Sequence, residues 1–105
     1  GVVFFTVSGE IKTASAAATG TVDLRYGTGT APTNGAAVTG TLIGLARNNA
    51  VAVGASAATS FFPVVLHGIV TGLTPGVAYW IDVSLKSSSG NAATVASIVS
   101  NAMEQ

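Results

Sequence analysis

The stretch GLTPGVAYWIDVSLK, residues 72–86, constrains the fold more than any other part of this chain. Pro75 fixes φ for the second position of a turn, and Gly76 accepts the positive φ of the third position, so the stretch begins with a corner. From Val77 to Leu85 every second residue is apolar or aromatic, and this two-residue period is that of a β-strand with one buried face. The stretch therefore predicts a turn followed by a strand of a β-scaffold.

The rest of the chain repeats this organisation in weaker form. Short apolar segments are separated by Gly, Thr, Ser, Asn and Pro along the whole sequence, which is typical of an all-β sandwich or barrel. Residues 2–8 and the segment after Gly9 are predicted as consecutive strands, residues 21–27 alternate cleanly, and Asn34-Gly35 is a strong turn signal.

The second half of the chain completes the predicted architecture. Residues 38–46 and 50–56 predict two further strands, with a helix as the open alternative, and the strand that contains Trp80 is expected to form a hairpin with the closing segment. About eight strands in 105 residues predict a jelly-roll-like β-sandwich, as one domain spanning residues 1–105. The first residues, GVVFFTV, lack an initiator Met and a basic signal region, so we expect a fragment of a longer or processed polypeptide.

The composition predicts that much of the surface is covered by other copies of the chain. Only 8% of the residues are charged, against roughly a quarter in a typical domain, and the mean hydropathy is +0.61. A polar uncharged surface is one explanation and burial against other chains in an obligate homo-oligomer is the other; we expect both together. The candidate interface residues are Phe61, Phe62, Val64, Leu66 and Trp80. The period of a strand turns half of the segment FFPVVL away from its own core, and Trp80 is a large aromatic side chain on the outward face of its strand. Residues 2–5 are the alternative.

Charge and residue types argue against several classes of function. The formal net charge is zero, so no field favours nucleic acid or an anionic membrane. Cysteine is absent, no apolar run reaches membrane-spanning length, and no clustered ligands predict a metal or a cofactor. The glycines of YGTGTAP lack the Lys-Ser/Thr ending of a phosphate-binding loop, and we expect an ordinary loop there.

Catalytic constellations are equally sparse, and we predict that the chain is not an enzyme. His67 is the single histidine, and its chance combination with a serine and Asp82 does not amount to a triad. Three of the four carboxylates, Glu10, Asp23 and Asp82, have a Lys or Arg nearby on the same predicted strand, which favours surface ion pairs over a glycosidase dyad. The aromatic residues Tyr26, Tyr79 and Trp80 could stack on sugar rings, but core packing and a subunit contact are the preferred interpretation.

Three segments resemble a known group of proteins. VDLRYGTGTAPTNGAAVTGTLIG (residues 22–44), HGIVTGLTPGVAYWIDVSL (residues 67–85) and the closing ASIVSNAMEQ are similar to the small β-sandwich domains of bacteriophage tail-fibre, spike and other virion structural proteins. The resemblance implies a jelly roll similar to tumour-necrosis-factor-like heads, trimers located in the virion, contacts with other virion proteins and, in many members, with host-surface glycans. It carries over no catalytic or receptor-binding residue.

Two classes of function follow from the sequence. The first is a virion structural module, either a trimeric tail-fibre or spike head that serves assembly and host attachment, or a capsid decoration or head-fibre protein. The second is a carbohydrate-binding module outside any virus. A stable trimer would favour the first class, and a monomer with affinity for saccharides would favour the second.

Overall fold

The computed structural model describes residues 1–13, 19–44, 51–54, 61–87 and 93–105. This part of the chain is all-β, as predicted, and contains no helix; accordingly, it contains no helix of membrane-spanning length and hydropathy. The seven strands are β1 (Val3–Thr13), β2 (Thr19–Thr28), β3 (Thr41–Leu42), β4 (Val51–Gly54), β5 (Phe62–Val70), β6 (Tyr79–Ser87) and β7 (Ala93–Glu104).

The strands form two antiparallel sheets. Sheet A has the order β5-β1-β7. In sheet B, β2 pairs with β6 over nearly its full length, while β3 and β4 pair with its opposite ends. Because β6 occupies one side of β2, β3 and β4 share the other side.

The core lies between the sheets and follows from the two-residue period of each strand. Ile11 of β1 and Val22 and Leu24 of β2 are completely buried. The other buried core residues are Phe5, Val7, Ile43, Val64, Leu66 and Val70. The predicted inward set of residues 21–27 is confirmed, since Val22 and Leu24 are buried and Tyr26 packs against the core.

The corner before β6 has the predicted geometry. The Val77 N–H donates to the Thr74 carbonyl at 3.2 Å, and Gly76 has a φ of 82°. The Tyr79 hydroxyl also accepts a hydrogen bond at 3.0 Å from the Thr74 N–H. A tyrosine whose hydroxyl bonds to the backbone just upstream, at the start of a strand, is the tyrosine corner of immunoglobulin-type sandwiches.

Two of the strand pairings also correspond to those of immunoglobulin-type sandwiches, whereas β7 departs from that pattern by pairing with β1. Pairing of β1 with β5 corresponds to strands B and E of that fold, and pairing of β2 with β6 corresponds to strands C and F. The coarser prediction of an all-β sandwich therefore stands, whereas the jelly roll of about eight strands is not confirmed by the seven described strands.

Two local predictions need correction. Residues 2–8 and the segment after Gly9 form one continuous strand, β1, because the irregularity lies in the partner strand: β7 has a bulge at Ser97, whose φ is 55°, and the register shifts there. The expected hairpin between β6 and β7 is also wrong, since β7 pairs with β1 in sheet A. The turn at Asn34-Gly35 is confirmed by a hydrogen bond from the Ala36 N–H to the Thr33 carbonyl.

Gly68 permits the close packing of β5 against sheet B, and its replacement by Ala should destabilise the fold. Gly68 is buried, and a Cβ there would collide with Cγ2 of Ile43. We expect a loss of roughly 1–3 kcal/mol from overpacking, seen as a melting temperature lowered by several degrees. In an Ile43→Ala background the same change should cost much less, because the obstructing side chain is gone. Equal losses in both backgrounds would contradict this explanation.

Candidate oligomer interface

The outer face of sheet A, which is turned away from sheet B, carries two rows of apolar side chains. In the first row Phe4 of β1 has Ile69 and Met103 as its register partners, and these two are 60% and 64% exposed. In the second row Val65 and Val99, which are 53% and 58% exposed, flank the small polar residue Ser8 of β1. The first row is apolar across all three strands, and an exposed apolar patch of this kind marks an interaction surface more often than a solvent face.

A polar, uncharged row separates the two apolar rows. It consists of His67, Thr6 and Asn101, which are register partners. The His67 ring stacks on Phe4 with a centroid distance of 6.1 Å, and its Nδ1 lies 3.4 Å from the Thr6 hydroxyl. His67 therefore belongs to a surface of mixed apolar and hydrogen-bonding groups. This position is compatible with the prediction that it is a structural or interface residue.

Charged groups occur at one end of this face only, among its described side chains. Glu10 and Lys12 of β1 lie beyond the second apolar row. The Lys12 ammonium lies 4.9 Å from the centroid of the Phe61 ring, which is cation–π distance. The two apolar rows and the polar row between them contain no Asp, Glu, Lys or Arg, so another copy of the same face could approach without like-charge repulsion.

The structure divides the predicted interface residues of the segment FFPVVL between surface and core. Phe61 is 42% exposed on the outer side, whereas Phe62 packs against the core. Val64 and Leu66, with 7% and 4% exposure, are core residues and offer no surface to a partner. Alternation predicted two sets of residues but could not say which set faces the core. The prediction that Val64 and Leu66 belong to the interface is therefore wrong.

Trp80 lies on the outer face of sheet B, opposite to the apolar rows. Its indole N–H donates to the Thr28 carbonyl at 3.1 Å, and its ring covers Gly27, where an added Cβ would be 2.5 Å from Cζ2. The ring is also in contact with Gly40 of the following loop. Trp80 is thus half-buried by contacts within its own chain, and its role in a subunit contact remains a prediction.

The outer face of sheet A includes residues that the sequence argument did not select. Val65, Ile69, Val99 and Met103 become neighbours only through the pairing of β5 and β7 with β1. Phe4 falls within residues 2–5, the alternative interface segment. The sequence signal was present in the outward half of each alternating strand, but nothing in it specified which strands are adjacent.

The residues considered for catalysis are dispersed over the two sheets. His67 and Glu10 lie on sheet A, whereas Asp82 and Asp23 lie on sheet B. Arg25 is the register partner of Asp82, and one of its terminal nitrogens donates to the Gly40 carbonyl at 3.2 Å. In the described ranges no three His, Cys, Asp or Glu side chains are grouped as metal ligands would be.

Comparison with protein-family models, with curated proteins and with solved structures gave no match for this chain.

Proposed function

We propose that this domain is a structural module of a bacteriophage virion that assembles as a trimer through the outer face of sheet A. The observation that carries the proposal is the pair of apolar rows around Phe4, with Ile69 and Met103 in the first and Val65 and Val99 in the second. A chain with 8% charged residues has few other means of keeping such a face away from water than covering it with another subunit.

The viral context of the proposal comes from the resemblance of residues 22–44 and 67–85 to tail-fibre and spike domains. That resemblance implies a jelly-roll head, but the proposal requires only the coarser two-sheet sandwich, which offers one outer face for subunit contact and loops at both ends for other partners. The tail-fibre or spike position is the leading version, and a capsid decoration or head-fibre position is the second. In either version the module serves assembly, and in the first it also serves attachment to the host surface.

The free carbohydrate-binding module gains less support from the described aromatic residues. Tyr26 packs against the core and its ring centroid lies 6.4 Å from that of Tyr79, whose hydroxyl is used in the corner. Trp80 covers glycines of its own chain. None of the three rings stands free as a flat platform of the kind on which a sugar stacks.

Light scattering coupled to size-exclusion chromatography tests the assembly. We expect a particle whose mass is three chains of 10.3 kDa each or a multiple of three, unchanged on dilution to low micromolar concentration. A monodisperse monomer at that concentration would overturn the trimer, and a monomer that also binds saccharide on a glycan array would establish the carbohydrate-binding alternative.

A further inference from the structure

The outer edge of β6 is a strand edge without a partner in the described part of the fold. β6 (Tyr79–Ser87) pairs with β2 on one side, and β7, its successor in the chain, pairs with β1 in the other sheet. In the immunoglobulin-type pattern the strand after F lies beside F, which is the place next to β6. Backbone N–H and C=O groups along a nine-residue edge are best satisfied by another extended polypeptide, which adds to the sheet.

The core is also incomplete at this edge. Val22 and Leu24 of β2 are completely buried, whereas their register partners on β6, Leu85 and Val83, are only half-buried. A groove of about 1000 Å³ runs between the sheets here, with β6 on one wall and Ala102 and other residues of β7 on the opposite wall. An added strand with apolar residues at every second position would extend sheet B and fill this space.

The charges on β6 indicate which strand fits. Asp82 and Lys86 project from the same face of the strand, with Ser84 midway between them. If two copies of β6 pair antiparallel about a two-fold axis at Ser84, Asp82 of each copy lies directly opposite the partner's Lys86. On the inward face, Val83 then lies opposite the partner's Leu85, so apolar side chains enter the groove from both copies.

We propose that β6 pairs with β6 of a second copy of this chain, antiparallel and centred on Ser84, so that sheet B becomes continuous across two subunits. This contact uses a different surface from the outer face of sheet A and does not depend on the proposed trimer. The occupant of the groove is then the inward face of the partner's β6. Asp82 and Lys86 disfavour pairing with a strand that lacks complementary charges. They favour pairing with a second β6, because two pairs of opposite charges then face each other.

A single cysteine tests the axis, since the native chain has none. In Ser84→Cys the two thiols would stand directly opposite each other, with Cα atoms about 4.5–5.5 Å apart, which is within the range of a disulfide. Under mild oxidation we expect most chains to form a covalent dimer at low micromolar concentration. Thr71→Cys, in the exposed connection after β5, is the control and should remain largely uncrosslinked. Crosslinking of Ser84→Cys no faster than the control would overturn the proposal.

A charge-reversal cycle tests the register by a second measurement. Asp82→Lys and Lys86→Asp should each weaken self-association at least tenfold in sedimentation equilibrium, because two attractive pairs become repulsive. The double variant should restore the affinity to within about threefold. Because the change at position 82 also removes the carboxylate opposite Arg25, its fold is checked by circular dichroism, and a folded double variant without restored affinity would exclude this register. All variants are measured in an Ile69→Asp background as well, where the β6 contact should persist as a dimer even if the sheet A contact is lost. The two proposals can therefore fail separately.

Discussion

Replacing Phe62 with Asp is expected to leave the chain largely unfolded, whereas Phe61→Asp should fold normally. Phe62 packs against the core beside its register partner Ile11, which has no exposed surface. Removing the ring and placing a carboxylate there should cost roughly 3 kcal/mol or more, a large part of the 5–15 kcal/mol that typically separates folded from unfolded domains. Far-UV circular dichroism and a thermal melt measure the difference.

Phe61→Asp is the matched control for this experiment. Phe61 is 42% exposed beneath the Lys12 ammonium, so a carboxylate there stays hydrated and exchanges a cation–π contact for an ion pair. We expect its melting temperature to remain within a few degrees of that of the unchanged chain. If the Phe61 variant unfolds and the Phe62 variant does not, Phe61 rather than Phe62 is the residue on the side of β5 that faces the core.

Ile69→Asp is expected to break the contact through the outer face of sheet A, so that the trimer is lost and the folded chains associate only through the proposed β6 contact. Ile69 is 60% exposed in the first apolar row, so the isolated subunit should tolerate the change. In a subunit contact the carboxylate would lose water without a partner, at a cost of about 2 kcal/mol or more, which is more than about thirtyfold in affinity for each contact. Light scattering gives the mass, and circular dichroism confirms the fold.

Val77→Asp provides the comparison for Ile69→Asp. Val77 is 45% exposed in the corner before β6, away from the apolar rows. It should leave the particle mass unchanged. An Ile69→Asp particle of unchanged mass would exclude this face as the interface and move the assignment to Trp80 on the outer face of sheet B.

Local features of the fold followed from the sequence because they depend on neighbouring residues only. The corner at Pro75-Gly76 and the alternation of β2 and β6 required turn chemistry and a two-residue period, and both were found as predicted. The prediction for β1 was correct in part, since both segments around Gly9 were expected to be strands, although not one continuous strand.

The pairing of strands could not be predicted in the same way. Alternation describes the two faces of a strand but not the neighbour at each edge. The sequence therefore did not indicate that β7 pairs with β1 rather than with β6. The predicted interface differs from the observed face for the same reason. Alternation could select Phe61 and Val65, whereas their proximity to Met103 and Val99 depends on how the strands pair. Val64 and Leu66 are buried because that face of β5 packs on sheet B. The sequence of a single strand does not show which of its two faces packs on the other sheet.

The pairing of β1 has a consequence for how the chain folds during synthesis. The neighbours of β1 are β5 and β7, so Val3 meets Val70 and Glu104, which are far away in sequence. Until residues 62–70 emerge from the ribosome, the apolar segment VVFF has no native partner on either edge. Sheets built from such distant pairings form slowly, and their unpaired strands are prone to aggregate meanwhile. The yield of folded protein should therefore depend on translation rate and on chaperones that hold the first strand, more than on the final stability of the sandwich.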